Sequence, residues 1–355
     1  MEHQILTFYD WVAKLSSSEL VALILIVTLP LVFLIVYALV AILGELKISA
    51  FIQERLGPMR TGPWGIIQPV AEVVKLLQKE DITPDAANKP LFNMAPFLMF
   101  TAAYAGFAVI PFSSHFVPAG INLGLFYIFA MGSLAVIGLV MGGWASNNKY
   151  SLLGALRSVA QIVSYEIPAA IVILSIVVLA SSMNLQVINA NQGGWFWNWY
   201  VFGGPGSIWK LLVIPFTFGM FLLYLIASLA ETNRTPFDIP EGESEIVAGY
   251  HTEYSGMKFA MFFFAEYANM FVVAALLSIL FFGGWNSPFG DFMNGPIWGV
   301  FWFISKSFFF VFVQIWLRWT LPRLRVDQLM GVSWKVMTPV AFLCFFAVGL
   351  WAMLK

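Results

Sequence analysis

Long stretches of this chain carry no charge, and that limits the fold more than any other feature. No Asp, Glu, Lys or Arg lies between Glu19 and Glu45, between Lys89 and Lys149, or between Glu166 and Lys210. About 20 consecutive apolar residues suffice for a helix to cross a bilayer. A soluble domain carries roughly a quarter charged residues; here 10% of 355 residues are charged and 60% are hydrophobic. Most of the surface must therefore face lipid. Polar backbone groups in lipid are paired either inside a helix or around a closed barrel. The apolar runs are continuous rather than alternating, which excludes a barrel. The reading is an all-α integral membrane protein, one polytopic domain over 1–355, with no soluble domain and no convincing internal repeat.

Breaking the runs at their polar and Pro-rich points gives about eight transmembrane helices, at 20–44, 94–113, 123–146, 164–184, 209–230, 259–283, 297–317 and 334–354. Pro111 to Asn122, with Ser113, Ser114, His115 and Pro118, divides the long run after Lys89. An aromatic loop around Trp195, Trp197 and Trp199 ends the run before Lys210. The first run lacks a basic flank and is too long for a signal core, so it reads as a retained helix.

With eight spans the loops alternate between two sides. One side holds loops 45–93, 147–163, 231–258 and 318–333, and with them, counting Lys335 just past the last, fourteen of the eighteen Lys and Arg. The other side holds Lys14, Lys210 and Lys355, while Lys306 lies within a span. Basic loops stay cytoplasmic, so the first side is the cytoplasmic one. The Trp cluster on the second side fits an interfacial belt. A net charge of −1 gives no electrostatic pointer to nucleic acid. A single cysteine, Cys344, excludes intrachain disulfides, iron–sulfur clusters and Cys-based zinc sites. His3, His115 and His251 lie far apart in sequence, so no metal site is expected.

The cytoplasmic loops hold most of the chemistry. In the first, two Gly-Pro pairs mark turns. Then Ile66, Ile67, Val70, Val73, Val74 and Leu77 recur at helical spacing opposite Gln68, Glu72, Lys75 and Lys79. This is an amphipathic surface helix, or one whose polar stripe lines a cavity opening to the bilayer. In the second loop, Arg157, Gln161 and Ser164 share a helical face, and Glu166 enters the fourth span. The third loop, residues 231–258, holds six acids and two bases between two spans. If it is helical after Pro240, Asp238, Glu241 and Glu245 share one face. Crowded carboxylates repel, which makes the loop sensitive to charge. Glu266 lies about two turns into the sixth span, where an ionisable residue is costly and a functional candidate. The last loop is basic, with Arg318, Arg323 and Arg325. Lys306, twelve residues before Arg318, needs a polar partner within the membrane.

At these loops the sequence resembles a known family. Ala230-Glu231-Thr232-Asn233-Arg234-Thr235-Pro236-Phe237-Asp238, followed by Glu241-Gly242-Glu243-Ser244-Glu245, is similar to the signature loop of the H-type membrane subunit of respiratory complex I, the NADH–quinone oxidoreductase. Five further motifs agree in order: Gln53 to Pro58, Gly143 to Asn147, Ser164-Tyr165-Glu166, Ala265-Glu266-Tyr267, and Pro322 to Met330. The match spans about 45 to 335. Met1–Leu15 and Gln192–Ser207 carry no such motif.

The resemblance implies a subunit of a proton-pumping translocase that forms part of a quinone tunnel and couples quinone reduction to proton movement. Quinone, ubiquinone or menaquinone, is the substrate. This chain binds no cofactor alone, and FMN and iron–sulfur clusters belong to partner subunits. The partners implied are the other complex I subunits, cytoplasmic and membrane-arm, and membrane lipid; nucleic acid is not among them. The implied location is a bacterial cytoplasmic membrane rather than a mitochondrial one. By the same resemblance, Arg55, Glu72, Lys75, Arg234, Phe237, Arg318, Arg323 and Arg325 border the quinone tunnel. Asp238, Glu241, Glu243, Glu245 and Glu253 form an acidic coupling loop. Glu166, Glu231, Glu266 and Lys306 belong to the proton path. Two alternatives remain: the homologous subunit of a hydrogenase or formate-hydrogenlyase-type complex, and a stand-alone ion transporter.

Overall fold

The computed structural model describes residues 19–206, 208–240, 242–290 and 292–354. Its long helices are α1 (Glu19–Ile52), α3 (Lys89–Phe107), α4 (Gly124–Ala145), α5 (Lys149–Ala180), α7 (Ile214–Glu231), α9 (Gly256–Phe281), α10 (Pro296–Thr320) and α12 (Thr338–Leu354). Shorter helices are α2 (Gln68–Gln78), α6 (Leu185–Ala190), α8 (Glu243–Ile246) and α11 (Val326–Val332). An isolated antiparallel bridge pairs Trp195 with Phe289. Among the described residues, seven helices are long and apolar enough to cross a membrane. The chain is a multi-pass membrane protein.

Helix α3 is not among those seven. The sequence suggested a span over 94–113, but the helix is shifted toward the N-terminus. Pro90 starts it, a position where a missing N–H costs nothing. It stops at Phe107, before Ile110-Pro111, where the residue preceding proline is pushed out of helical geometry. The shift trades apolar residues for Lys89, Pro90 and Asn93. α3 still packs lengthwise on α4 and α9.

Two further boundaries differ from expectation. Residues 149–163 form no loop: α5 is one helix of 32 residues, capped by the Asn148 side chain, which accepts from the Tyr150 N–H at 2.9 Å. At about 1.5 Å per residue it is roughly 48 Å long, well beyond a ~30 Å hydrocarbon core. The first span likewise continues past Glu45 to Ile52.

Helix α9 is the centre of the bundle. In its most apolar stretch 83% of residues are buried, against 28% in α1 and in the C-terminal span. It contacts α1, α2, α3, α7 and α10. Phe271 packs against Phe33, Tyr37, Phe107 and Phe303, which ties four helices together. α9 ends at Gly283 and Gly284, both at positive φ. A Cβ on Gly283 would lie 2.7 Å from the Trp199 indole nitrogen, so only glycine fits.

Candidate functional site

Two guanidiniums and a tyrosine converge on one carboxylate, Glu45. The chain leaves α7 at Glu231 and turns back sharply. The Arg234 N–H donates to the Leu229 carbonyl at 3.0 Å, and Asn233 adopts positive φ. This turn drives Arg234, only 4% exposed, into the bundle. Its Nη1 lies 3.2 Å from both oxygens of Glu45. Arg318, from the last turn of α10, donates to Glu45 Oε1. The Tyr267 hydroxyl of α9 donates to Glu45 Oε2 at 2.6 Å. The Arg234 guanidinium also lies over the Tyr267 ring, 4.7 Å from its centre. Burial opposes the Arg234 charge, but the Glu45 carboxylate outweighs it and holds the guanidinium protonated. Glu45 was not a sequence candidate, because it read only as the end of a charge-free run.

Tyr267 links this cluster to a cavity. The space between α1, α2 and α9 measures about 310 Å³ and is lined by Ile42, Glu72, Lys75, Lys79, Phe263 and Tyr267, among others. Glu72, Lys75 and Lys79 of the polar stripe thus border this cavity together with Pro69, Val73 and Leu76, while Val70, Val74 and Leu77 are exposed. Arg55 follows α1, exposed, and donates to Gln53 at 2.6 Å.

Three glutamates meet in a second cavity. Glu166 of α5, Glu231 of α7 and Glu266 of α9 all line a space of about 30 Å³, together with Gly132, Asn233 and Asn269. That volume holds one or two waters. The Ser133 hydroxyl donates to Glu166 at 2.9 Å. Glu266 is buried and accepts from the Tyr250 hydroxyl at 2.6 Å, and His251 Nε2 lies 3.9 Å away.

Lys306 is not brought to these glutamates. Its ammonium donates to the carbonyls of Phe282 (2.7 Å), Gly284 (3.0 Å) and Asn286 (2.7 Å), and sits over the Trp199 ring. These carbonyls lie at the C-terminal end of α9, where a cation is favoured. That end is sixteen residues, roughly 24 Å, beyond Glu266. Phe237 lines neither cavity; it is buried with its ring 5.0 Å from that of Tyr165.

Among the described residues between Arg234 and Val247, α-helix covers Glu243–Ile246, so Asp238 and Glu245 do not share a helical face. Pro236 and Pro240 precede this short helix. Glu241 lies outside the described residues. Asp238 is half-buried. Glu245 pairs with Arg157 at 2.6 Å, and Glu253 accepts from Asn148 at 2.6 Å. Glu243 opens the short helix. The basic loop closes over this segment: Leu324 N–H donates to the Pro236 carbonyl at 3.1 Å, and Arg323 reaches the Ile239 carbonyl at 3.5 Å. Arg325 is exposed ahead of α11.

A lipid-embedded bundle that encloses a Glu–Arg–Arg cluster and three glutamates is a polytopic membrane protein with an intramembrane ionisable site. The family model described as NADH dehydrogenase matches residues 24–349, and the chain belongs to that family. It is 54% identical to the H subunit of the NADH-quinone oxidoreductase of Chlorobium luteolum over 93% of this chain and 89% of that protein. It is 51% identical to the corresponding H subunit of Chlorobaculum parvum, over 97% of each. The second H subunit of the NADH-quinone oxidoreductase of Cytophaga hutchinsonii is 44% identical over 92% of this chain and 98% of its own length.

Proposed function

We propose that this chain is the membrane subunit of a proton-pumping NADH–quinone oxidoreductase in a bacterial inner membrane, that it forms part of the quinone path, and that it couples quinone chemistry to proton movement. Its partners in this reading are the cytoplasmic and membrane-arm subunits of the complex, which supply FMN and the iron–sulfur clusters. The observation that carries the reading is the continuity from the α2 cavity through Tyr267 to Glu45, Arg234 and Arg318. A ring-bearing apolar molecule leaving lipid fits the cavity of about 310 Å³ beside Phe263 and Tyr267. At its inner end two guanidiniums share one carboxylate, which leaves the cluster with an excess positive charge. That excess favours an electron-rich quinone. In this reading the resemblance also assigns Arg55, Arg323 and Arg325 to the quinone path, although none of them lines this cavity.

The three-glutamate cavity supports the proton half. Its carboxylates, with room between them for a water, can hold and pass protons. A unit charge ~10 Å from a carboxylate is worth about 1.7 kcal/mol at an effective dielectric of 20, roughly 1.2 pKa units. Charge on quinone therefore changes which carboxylates are protonated. The acidic residues Asp238, Glu241, Glu243 and Glu253 lie on the segment between Arg234 and α9 and respond with them.

The test is Arg234→Ala in assembled complex. Quinone reductase activity and inhibitor binding fall, while electron transfer from NADH to an artificial acceptor upstream of the membrane is spared. An equal fall in both activities removes Arg234 from the quinone path.

A further inference from the structure

Among the described residues, His251 is the histidine that lies inside the site, and neither the quinone path nor the glutamate cavity accounts for it. It sits on the turn Gly249–His251, 5% exposed, with rings of Tyr250, Phe259 and Phe262 around it. Its Nε2 is 3.9 Å from Glu266 Oε1. Glu266 in turn lines the cavity that Glu166 and Glu231 share. The turn belongs to the acidic segment, so His251 stands between that segment and the carboxylates. Imidazole is the side chain whose ordinary ionisation falls between pH 5 and 8.

We propose that His251 is a proton-transfer residue, passing protons between the 231–258 loop side and Glu266. This rests on the reading that the Glu166, Glu231 and Glu266 cavity moves protons. Closing 3.9 Å to hydrogen-bond distance needs a small side-chain rotation or one water. In the inward step the Nε2–H bond breaks and an O–H bond forms on Glu266. Imidazolium becomes neutral imidazole, carboxylate becomes carboxylic acid, and loop-side water returns a proton to the ring.

α9 presents Glu266. α5 presents Ser151, whose hydroxyl donates to the Tyr250 carbonyl at 3.3 Å, and Gly154. α4, packed on the same turn, carries no charged residue. On its own segment the titratable neighbours are Tyr250, which donates to Glu266, Glu253, which accepts from the Asn148 side chain at 2.6 Å, and Tyr254, which donates to the Phe92 carbonyl at 3.1 Å. Glu266, with His251 as an exchangeable donor 3.9 Å away, can accept a proton and release it.

The experiment uses whole complex carrying His251→Asn or His251→Gln, reconstituted in vesicles and assayed for NADH–quinone turnover and proton-to-electron ratio from pH 5.5 to 9 (~ the range spanning imidazole ionisation). Turnover is expected to fall about tenfold or more, to lose its ionisation near neutral pH, and to recover in part with added imidazole. NADH oxidation by the artificial acceptor stays unchanged. A wild-type pH profile, a loss equal at every pH without imidazole rescue, or failure of both variants to assemble each overturns the proposal. Glu266→Gln is run beside them. Full pumping in that variant sinks the cavity reading itself; lost pumping there with wild-type behaviour of the His251 variants sinks only the role of His251.

Discussion

Glu45 carries the sharpest prediction at the scale of single residues. Gln keeps its size but removes the charge, which leaves Arg234 and Arg318 facing each other without a counter-ion. Breaking a buried pair from one side costs about 3–5 kcal/mol. Glu45→Gln should therefore lower both the amount of assembled complex and its quinone reductase rate, whereas Glu45→Asp keeps most of both. Native gels and activity per assembled complex measure the two; wild-type values for the Gln variant would uncouple the cluster from function. The glutamate cavity makes a second prediction. Glu231→Gln and Glu266→Gln should reduce proton pumping in assembled complex, because Gln cannot cycle a proton. Unchanged proton-to-electron ratios in both would remove them from the path.

Legibility differed between these two sites for a physical reason. Glu166, Glu231 and Glu266 stand out in sequence because each interrupts or borders an apolar run, and intramembrane charge is costly. Their convergence on one cavity was not legible, since it depends on how α5, α7 and α9 pack. Glu45 was hidden because a charge at the end of an apolar run reads as a boundary. Nothing local announces that α1 continues for seven more residues. Lys306 was visible as a cost, but its three carbonyl partners belong to a glycine turn twenty or more residues earlier in the chain.

At the scale of elements, the acidic loop and the α9 terminus separate into exposed and enclosed parts. The Arg157–Glu245 pair is exposed on both sides, 32% and 51%. Such pairs contribute about 0–1 kcal/mol and weaken with salt. Glu245→Gln should thus be nearly silent at physiological ionic strength. Asp238→Asn or Glu241→Gln should instead lower quinone-linked turnover, and the double variant should lose less than the sum of the two. Wild-type turnover in both single variants across pH would return the loop to an ordinary charged surface. Lys306→Met leaves three carbonyls at the end of α9 without their donor, at ~1–3 kcal/mol for each that stays dry. The expected result is a lower unfolding temperature with an unchanged proton-to-electron ratio; a changed ratio at unchanged stability would put Lys306 in the proton path. The amphipathic α2 was legible from its period alone. The long α5 was legible only in part: Arg157, Gln161 and Ser164 showed a helical face, but the charges at Lys149 and Arg157 marked that stretch as a loop rather than as the start of one helix that rises beyond the hydrocarbon core.

The whole molecule depends on which way it faces. The α2 cavity, the Glu45 cluster and the acidic loop all lie with the basic loops, and the positive-inside rule makes that side cytoplasmic. In the proposed reading electrons reach quinone from the cytoplasmic side, so a quinone site on this face requires this orientation. The chain offers a clean test, because its single native cysteine, Cys344, is buried and 5% exposed. Cysteine introduced at Ala190, at the exposed end of α6, should react with an impermeant maleimide added outside intact cells. Cysteine at Lys79 or at Arg325, both exposed on the opposite side, should react only after the membrane is opened. Wild-type cells report any background from Cys344. Labelling of positions 79 and 325 from outside, with 190 protected, would place Arg234 and the glutamates on the wrong side of the membrane for quinone to meet electrons there. The quinone reading would then fail as a whole, whatever the variants at single residues had shown.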